Sequence, residues 1–268
     1  MVKLIAIDLD GTLFDDEKNI SEENLKAIDN AQKLGCKVVI ASGRPLCGIM
    51  PTLEKLKLTK ASDYVICYNG ALVLNVKTGE VIFSKTLTGV DLAKIYSLAK
   101  LLNVNIHAYR EKESLITPKL NPYTAVTERV NNIKANLCDF NSIASSEKFI
   151  KIMLIDDELR LNYIEDNLDK QYFDAYSIVR SSKIYLEFLN KETDKGLALK
   201  ALANYLNIDL KDTMAIGDAG NDLNMILLAG IGVAMGNSFA YVKSSADYVT
   251  LDNKNSGVAN AINKFVLN

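Results

Sequence analysis

The sequence predicts an α/β fold: an open parallel sheet built from both ends of the chain, interrupted by an inserted α+β domain. Three observations carry this. Short apolar runs alternate with helical periods from residue 2 to about 70, the rhythm changes after that, and β-α alternation resumes at Asp194. The expected core is therefore 1–83 with 190–268, and the expected insertion is 84–189. A chain of 268 residues suits one to two domains of about 150 residues each.

In order, Val2 to Ile7 reads as a buried strand. Ser21 opens a helix whose apolar residues, Leu25, Ile28, Ala31 and Leu34, fall at helical spacing, and Gly35 ends it. Lys37 to Ala41 is the second strand, and Pro45 suits the first turn of the next helix. Tyr64 to Tyr68 is a third strand closed by Asn69-Gly70, and Ala71 to Lys85 alternates like a hairpin around Thr78-Gly79. Within the insertion, helices are expected at Val90 to Leu102 and Glu158 to Leu168, with strands at Phe149 to Ile155 and Ile184 to Phe188. The returning core offers a helix from Gly196 to Leu206, a strand from Thr213 to Gly217 and a helix from about Asn221 to Ala229. Strands at Ile231 to Met235 and Asp247 to Thr250 close the pattern.

Composition narrows the function. A net charge of −2 gives no general affinity for polyanions, so nucleic acid is not an expected partner. The four cysteines, at 36, 47, 67 and 138, form no C-x-x-C pair, and His107 is the one histidine, so a zinc site is not expected. No apolar run approaches the roughly 20 residues that span a bilayer, and no signal-peptide pattern opens the chain. A cytoplasmic protein is the expectation.

The chemistry concentrates at strand ends. Asp8-Leu9-Asp10-Gly11-Thr12 follows the first apolar run, and residues two apart in a strand point the same way, so Asp8 and Asp10 would share one side. Two acids that close repel unless a cation or a proton intervenes, and Mg²⁺ is the simplest neutraliser. Asp15 and Asp16 suit helix capping better. The second strand delivers Ser42-Gly43, the helix entry after the insertion delivers Lys195, and the late strand delivers Gly217-Asp218 with Asn221 and Asp222. Ligands of open α/β sheets collect outside the carboxyl ends of the strands, so four segments would converge on one rim. Each has a plainer reading: Ser42 or Asn221 as a helix N-cap, Lys195 as a solvated lysine beside Glu192 and Asp194. Together they supply a nucleophile, an acid/base, a hydroxyl, a fixed cation and a metal ligand, which is what phosphoryl transfer needs. Gly230-x-Gly232-x-x-x-Gly236 has the wrong spacing for a dinucleotide loop and reads as tight packing.

These segments resemble the four motifs of the haloacid dehalogenase-like (HAD) superfamily, in particular the Cof-type phosphatases with a large inserted cap. Asp8 to Thr12 matches the first motif, Ser42 the second, Lys195 in Asp194-Lys195-Gly196 the third, and Gly217 to Asp222 the fourth. Val233 to Asn237 and Ala246 to Thr250 also fit the branch, while Leu189 to Thr193 and Ser238-Phe239 depart from it. The resemblance implies a Rossmann-like core and a phosphatase in which Asp8 forms an aspartyl-phosphate and Asp10 acts as acid and then base. It implies Mg²⁺ held by Asp8, the backbone carbonyl of Asp10, and Asp218. Phosphate oxygens would be held by Ser42, Lys195, Asn221 and the backbone N–H groups of Leu9 and Gly43. Asp222 would accept from metal-bound water or from Lys195.

Specificity for a small phosphorylated metabolite, a sugar phosphate or a relative, would live in the insertion. By physical type, Arg44, Tyr109, Lys119, Tyr123, Arg129 and Glu187 are candidate contacts to a polyol or a second anion. A phosphotransferase or mutase using the same aspartyl-phosphate, and a phosphate-sensing regulatory protein without turnover, are the alternatives.

Overall fold

A computed structural model describes residues 1–111 and 114–267. The chain divides into two compact units: Met1–Phe83 with the chain from Asp194 onward, and Ser84–Thr193.

In the first unit, β1 (Leu4–Ile7), α1 (Glu22–Lys33), β2 (Lys37–Ala41), α2 (Leu46–Lys55) and β3 (Tyr64–Cys67) follow the β-α-β-α-β order read from the sequence. β4 (Leu72–Asn75) and β5 (Val81–Ser84) form the hairpin, which extends the sheet by an antiparallel edge. β1 is wholly buried and pairs in parallel with β2 on one side and with a late strand, Thr213–Gly217, on the other. Ile7 stands level with Ile40 and Ile216, so the chain leaves three adjacent strands at one height. That register, fixed by unbroken apolar runs buried on both faces, places the polar residues following each strand side by side. Ser21 caps α1 by accepting from the Asn24 amide at 3.2 Å, and Gly35, at φ +87°, follows the helix. Pro45 stands just outside α2 instead of in its first turn, so Ser42 and Gly43 lie in an irregular stretch before the helix and neither caps it.

The second unit contains β6 (Leu87–Thr88), α3 (Gly89–Leu102), β7 (Asn105–Arg110), β8 (Leu115–Thr117), α4 (Pro122–Asn131), β9 (Ala135–Leu137), β10 (Lys148–Ile155), α5 (Glu158–Asn167), α6 (Lys170–Ala175), β11 (Tyr176–Ser182) and β12 (Tyr185–Asn190). Its seven strands form a largely antiparallel sheet in which β10 lies between β7 and β12. One face packs Ile106, Ala108, Ile152, Leu154, Leu186 and Phe188 against Leu92, Ile95 and Ala99 of α3 and Leu161 and Ile164 of α5. Each fully buried Leu, Ile or Phe among them contributes about 1.5–3 kcal/mol. α3 and α4 both open with reciprocal capping boxes, Thr88 with Asp91 and Asn121 with Thr124. This unit runs past residue 189 to Thr193, because β12 continues to Asn190, which pairs with Tyr176.

His107 lies in β7, fully buried, with Nε2 3.0 Å from the Thr124 hydroxyl. Burial pushes its pKa down to about 4. Glu187 is also buried; its Oε1 accepts from Lys151 at 2.7 Å and from Ser181 at 2.6 Å. Lys119 and Arg129 are exposed, and Tyr123 is half-buried.

The first unit resumes with α7 (Lys195–Tyr205), β13 (Thr213–Gly217), α8 (Leu223–Leu228), β14 (Ile231–Ala234), α9 (Ala240–Lys243), β15 (Tyr248–Val249) and α10 (Gly257–Ile262). Its sheet order is β15-β14-β13-β1-β2-β3-β4-β5. Ala198, Leu199, Leu202 and Ala203 of α7 cover one face of the central strands. A tight 3₁₀ turn over Gly220–Asp222 precedes α8, so Asn221 belongs to that turn and not to the helix. Among the described residues, no helix is long and apolar enough to cross a membrane.

Candidate active site

The site forms where β1, β2 and β13 end. Asp8 is the first residue beyond β1, and its N–H donates to the Ile216 carbonyl at 3.0 Å, extending the pairing by one step. Gly11 then turns the chain at φ +89°, and a Cβ there would stand 2.6 Å from Asp218 Oδ2. Only glycine combines that conformation with that approach. Thr12 Oγ1 donates to Asp218 Oδ1 at 2.8 Å, and Asn237 Nδ2 donates to the Gly11 carbonyl at 2.8 Å. Residues far apart in the chain thus hold the turn against the end of β13.

Lys195 enters at the first position of α7, whose N-cap Asp194 accepts from the Leu197 amide at 2.9 Å. The lysine has no exposed surface, and its Nζ donates to Asp8 Oδ1 and to Asp222 Oδ1, each at 2.7 Å. Asp222 is equally enclosed; its other oxygen accepts from the Asp218 and Ala219 amides, both at 3.0 Å. Burial disfavours the Lys195 ammonium, but Asp222 and Asp8 outweigh it and raise the pKa. Asp8 is pushed up to about 8, by burial and then by the Asp222 charge, with Lys195 offsetting only part. Asp218 is pushed up to about 6, mainly by burial.

Carboxylate oxygens of Asp8, Asp218 and Asp222 lie within 4.8 Å of one another. Three carboxylates face one ammonium, and buried excess charge is costly unless protons or a cation neutralise it. An all-oxygen donor set of this charge fits a hard divalent cation. Asp222 is already committed to Lys195 and two amides, so Asp8 and Asp218 are the carboxylates left to hold one.

Asp10 differs from the expectation that it would share a side, and a repulsion, with Asp8. β1 stops at Ile7, so both acids sit in the turn, and Asp10 binds cations of its own. Arg44 donates to it from Nε at 3.0 Å and Nη2 at 2.7 Å, and Lys18 Nζ at 2.8 Å. Burial works against its ionised form, yet the two cations win and hold the carboxyl below the usual range. The acids that crowd Asp8 come instead from the fourth segment.

Ser42 is buried, and its Oγ accepts from the Arg44 amide at 3.2 Å. Leu9 buries its side chain while its carbonyl accepts from the Thr12 and Phe14 amides. Asn221 is exposed, and its Nδ2 donates to Asn69 Oδ1 at 3.0 Å. A Cβ on Gly43 would lie 3.1 Å from both amide heavy atoms of Asn69. Asp8, Lys195 and Asp222 therefore form one buried group with the half-buried Asp218 at its side, while Ser42-Gly43 and Asn221 meet through Asn69.

The family model described as haloacid dehalogenase-like hydrolase matches residues 5–262. The chain belongs to this family. Among relatives of the haloacid dehalogenase-like hydrolase, a presumptive phosphatase of Streptococcus pyogenes serotype M6 is 38% identical, covering 100% of this chain and 99% of its own. The 5-amino-6-(5-phospho-D-ribitylamino)uracil phosphatase YcsE of Bacillus subtilis is 32% identical, over 99% of this chain and 96% of its own. A haloacid dehalogenase-like hydrolase from Bacteroides thetaiotaomicron has the same fold, with a TM-score of 0.86 and 32% identity over 98% of this chain and 99% of that one. This haloacid dehalogenase-like hydrolase is thus an enzyme of the phosphatase type. Sequence reasoning gave no role to Thr12, Lys18 or Asn69. Thr12 was inside a recognised motif, whereas Asn69-Gly70 signalled only a turn, and nothing in the spacing of Lys18 tied it to Asp10.

Proposed function

We propose that the chain hydrolyses phosphomonoesters of small metabolites, sugar or polyol phosphates foremost, with Mg²⁺ and through an aspartyl-phosphate on Asp8. The observation that carries this reading is the buried Lys195 bridging Asp8 and Asp222, with Asp218 alongside. Asp8 attacks phosphorus, the bond to the leaving oxygen breaks, and Asp10, ionised beside Arg44 and Lys18 until the incoming monoester monoanion hands it a proton, gives that proton to the leaving oxygen. Asp10 then takes a proton from water as the water attacks the phosphoryl group, releasing phosphate and restoring the Asp8 carboxylate. Ser42, Lys195, Asn221 and the N–H groups of Leu9 and Gly43 hold the phosphate oxygens. Lys195 also aims Asp8, since a salt bridge to Asp222 fixes its ammonium from behind. Asp8, Asp218 and the backbone carbonyl of Asp10 would hold Mg²⁺, which would supply charge neutralisation at the transferring phosphoryl group.

The residues of the inserted unit are the proposed readers of the leaving group, which makes that unit the specificity-giving cap. The ribityl phosphate for which the Bacillus subtilis relative is named supports a hydroxyl-rich leaving group. A small metabolite in the cytoplasm, not nucleic acid, is the proposed partner, in keeping with the net charge of −2.

Phosphate release from a panel of sugar, polyol, nucleotide and cofactor phosphates tests this, with Mg²⁺ and with chelator. Release is expected only with the metal, and Asp8→Asn should lower it by on the order of 10⁴-fold while the circular dichroism stays native. Turnover at the wild-type rate in that variant would rule the mechanism out.

A further inference from the structure

Three successive residues, Tyr68, Asn69 and Gly70, have left-handed backbones, at φ 52°, 57° and 96°. Side-chain-bearing residues rarely adopt that region, and such conformations persist where the surroundings over-determine them. Here the surroundings are the site. The Tyr68 amide donates to the Arg44 carbonyl at 3.2 Å and the Asn69 amide to the Ser42 carbonyl at 3.0 Å. Gly70 passes so close to the third segment that a Cβ would stand 2.3 Å from the Asp194 carbonyl oxygen. The Asn69 side chain is buried, faces Gly43 and accepts from Asn221 Nδ2. One short loop therefore touches the second, third and fourth segments at once.

We propose that Asn69 is a positioning residue that orients the Asn221 amide toward the phosphate. An exposed asparagine amide can present either its oxygen or its nitrogen to an anion, and the oxygen would repel a phosphate. With Asn69 Oδ1 accepting one of the two Nδ2 hydrogens, the nitrogen is turned inward and the second hydrogen remains for a phosphate oxygen. The left-handed backbone at 68–70 is what brings Oδ1 to that place, and asparagine tolerates it better than most residues. This rests on the phosphatase reading only in taking the anion to be a phosphate.

The test uses the full chain with Mg²⁺, inorganic phosphate as the ligand and p-nitrophenyl phosphate as the substrate. Asn69→Gly keeps the backbone freedom and deletes the side chain. It should weaken inorganic phosphate binding, measured by calorimetry, on the order of tenfold, raising KM more than it lowers kcat. Asn221→Ala should do the same, and the double variant should be no worse than either alone, because the two act as one unit. Losses that multiply, or phosphate affinity unchanged in Asn69→Gly, would overturn the inference. If Asn69→Gly does not fold, Asn69→Asp keeps the acceptor and the tolerance for this backbone but adds a charge beside the anion. Because the acceptor is kept, Asn221 should stay oriented: any loss of phosphate affinity should come from the added charge and vanish relative to wild type at high salt, whereas a loss that salt does not relieve would overturn the inference. A wild-type chain that binds phosphate with this coupling yet hydrolyses no ester would sink the phosphatase reading and leave the role of Asn69 standing.

Discussion

Lys195→Met is expected to destabilise the chain by about 3–5 kcal/mol at neutral pH, besides abolishing turnover. The ammonium is completely enclosed and donates to two buried carboxylates. Methionine fills most of the same volume, so the loss comes from charge and not from a cavity. Asp8 and Asp222 would be left buried and uncompensated, and the Asp8 carboxyl, already raised, would favour protonation in the folded state still more. A carboxyl whose folded pKa lies above its unfolded value binds an extra proton in the native state between those two values. Stability therefore falls as pH rises through that window, and Asp8 already titrates at about 8 with its lysine present. The deficit of Lys195→Met should consequently be largest near pH 8 and shrink toward pH 5. Urea unfolding of both proteins across this range measures it. Equal midpoints for the two proteins at pH 8 would show that the lysine is not the group compensating these acids.

That prediction draws on what a sequence conveys well and what it conveys poorly. The unbroken apolar runs of β1, β2 and β13 announced buried parallel strands, and their common rim followed from the rule for open sheets. Asp8 and Asp218 stood out because each follows an apolar strand whose type was plain, whereas Lys195 read as a solvated lysine until its position after the insertion and the family resemblance singled it out. What stayed hidden was pairing at long range. Nothing local says that the Asp10 carboxylate meets Arg44 and Lys18 instead of crowding Asp8, since strand β1 had to stop at Ile7 for that to happen. Asn69 was unreadable for a related reason: an Asn-Gly pair after a strand signals a turn, and its contact with Asn221, 152 residues away, depends on a three-residue left-handed path. In the insertion, β8 and β9 escaped because three residues are too few to show an alternation, and β11, although it pairs with the neighbouring β12, mixes Ser and Arg into its apolar run. α4 carries its own start signal in Asn121-Pro122 and the Thr124 that completes the capping box, a pattern that was there to be read.

The acid lability of the inserted unit should be traceable largely to His107. Its imidazole is fully buried, Nε2 meets the Thr124 hydroxyl, and Nδ1 has no partner among the described residues. Burial disfavours the charged ring and lowers its pKa from 6.5 to about 4. Between those values the unfolded chain binds a proton that the native one does not, so stability rises with pH across the window. It is fully present above 6.5 and is lost as pH falls toward 4, below which both states are protonated and the loss levels off. A displacement of this size corresponds to about 3 kcal/mol. His107→Gln keeps a polar group beside Thr124 but has no proton to take up, so its stability curve should be flatter than wild type by that amount between pH 6.5 and 4. Since the carboxylates titrating in the same range are common to both proteins, they cancel in the comparison. Parallel curves for wild type and variant, from urea unfolding at half-unit pH steps, would mean that the ring is protonated in the folded chain without penalty, against its burial on β7 beside Thr124 of α4.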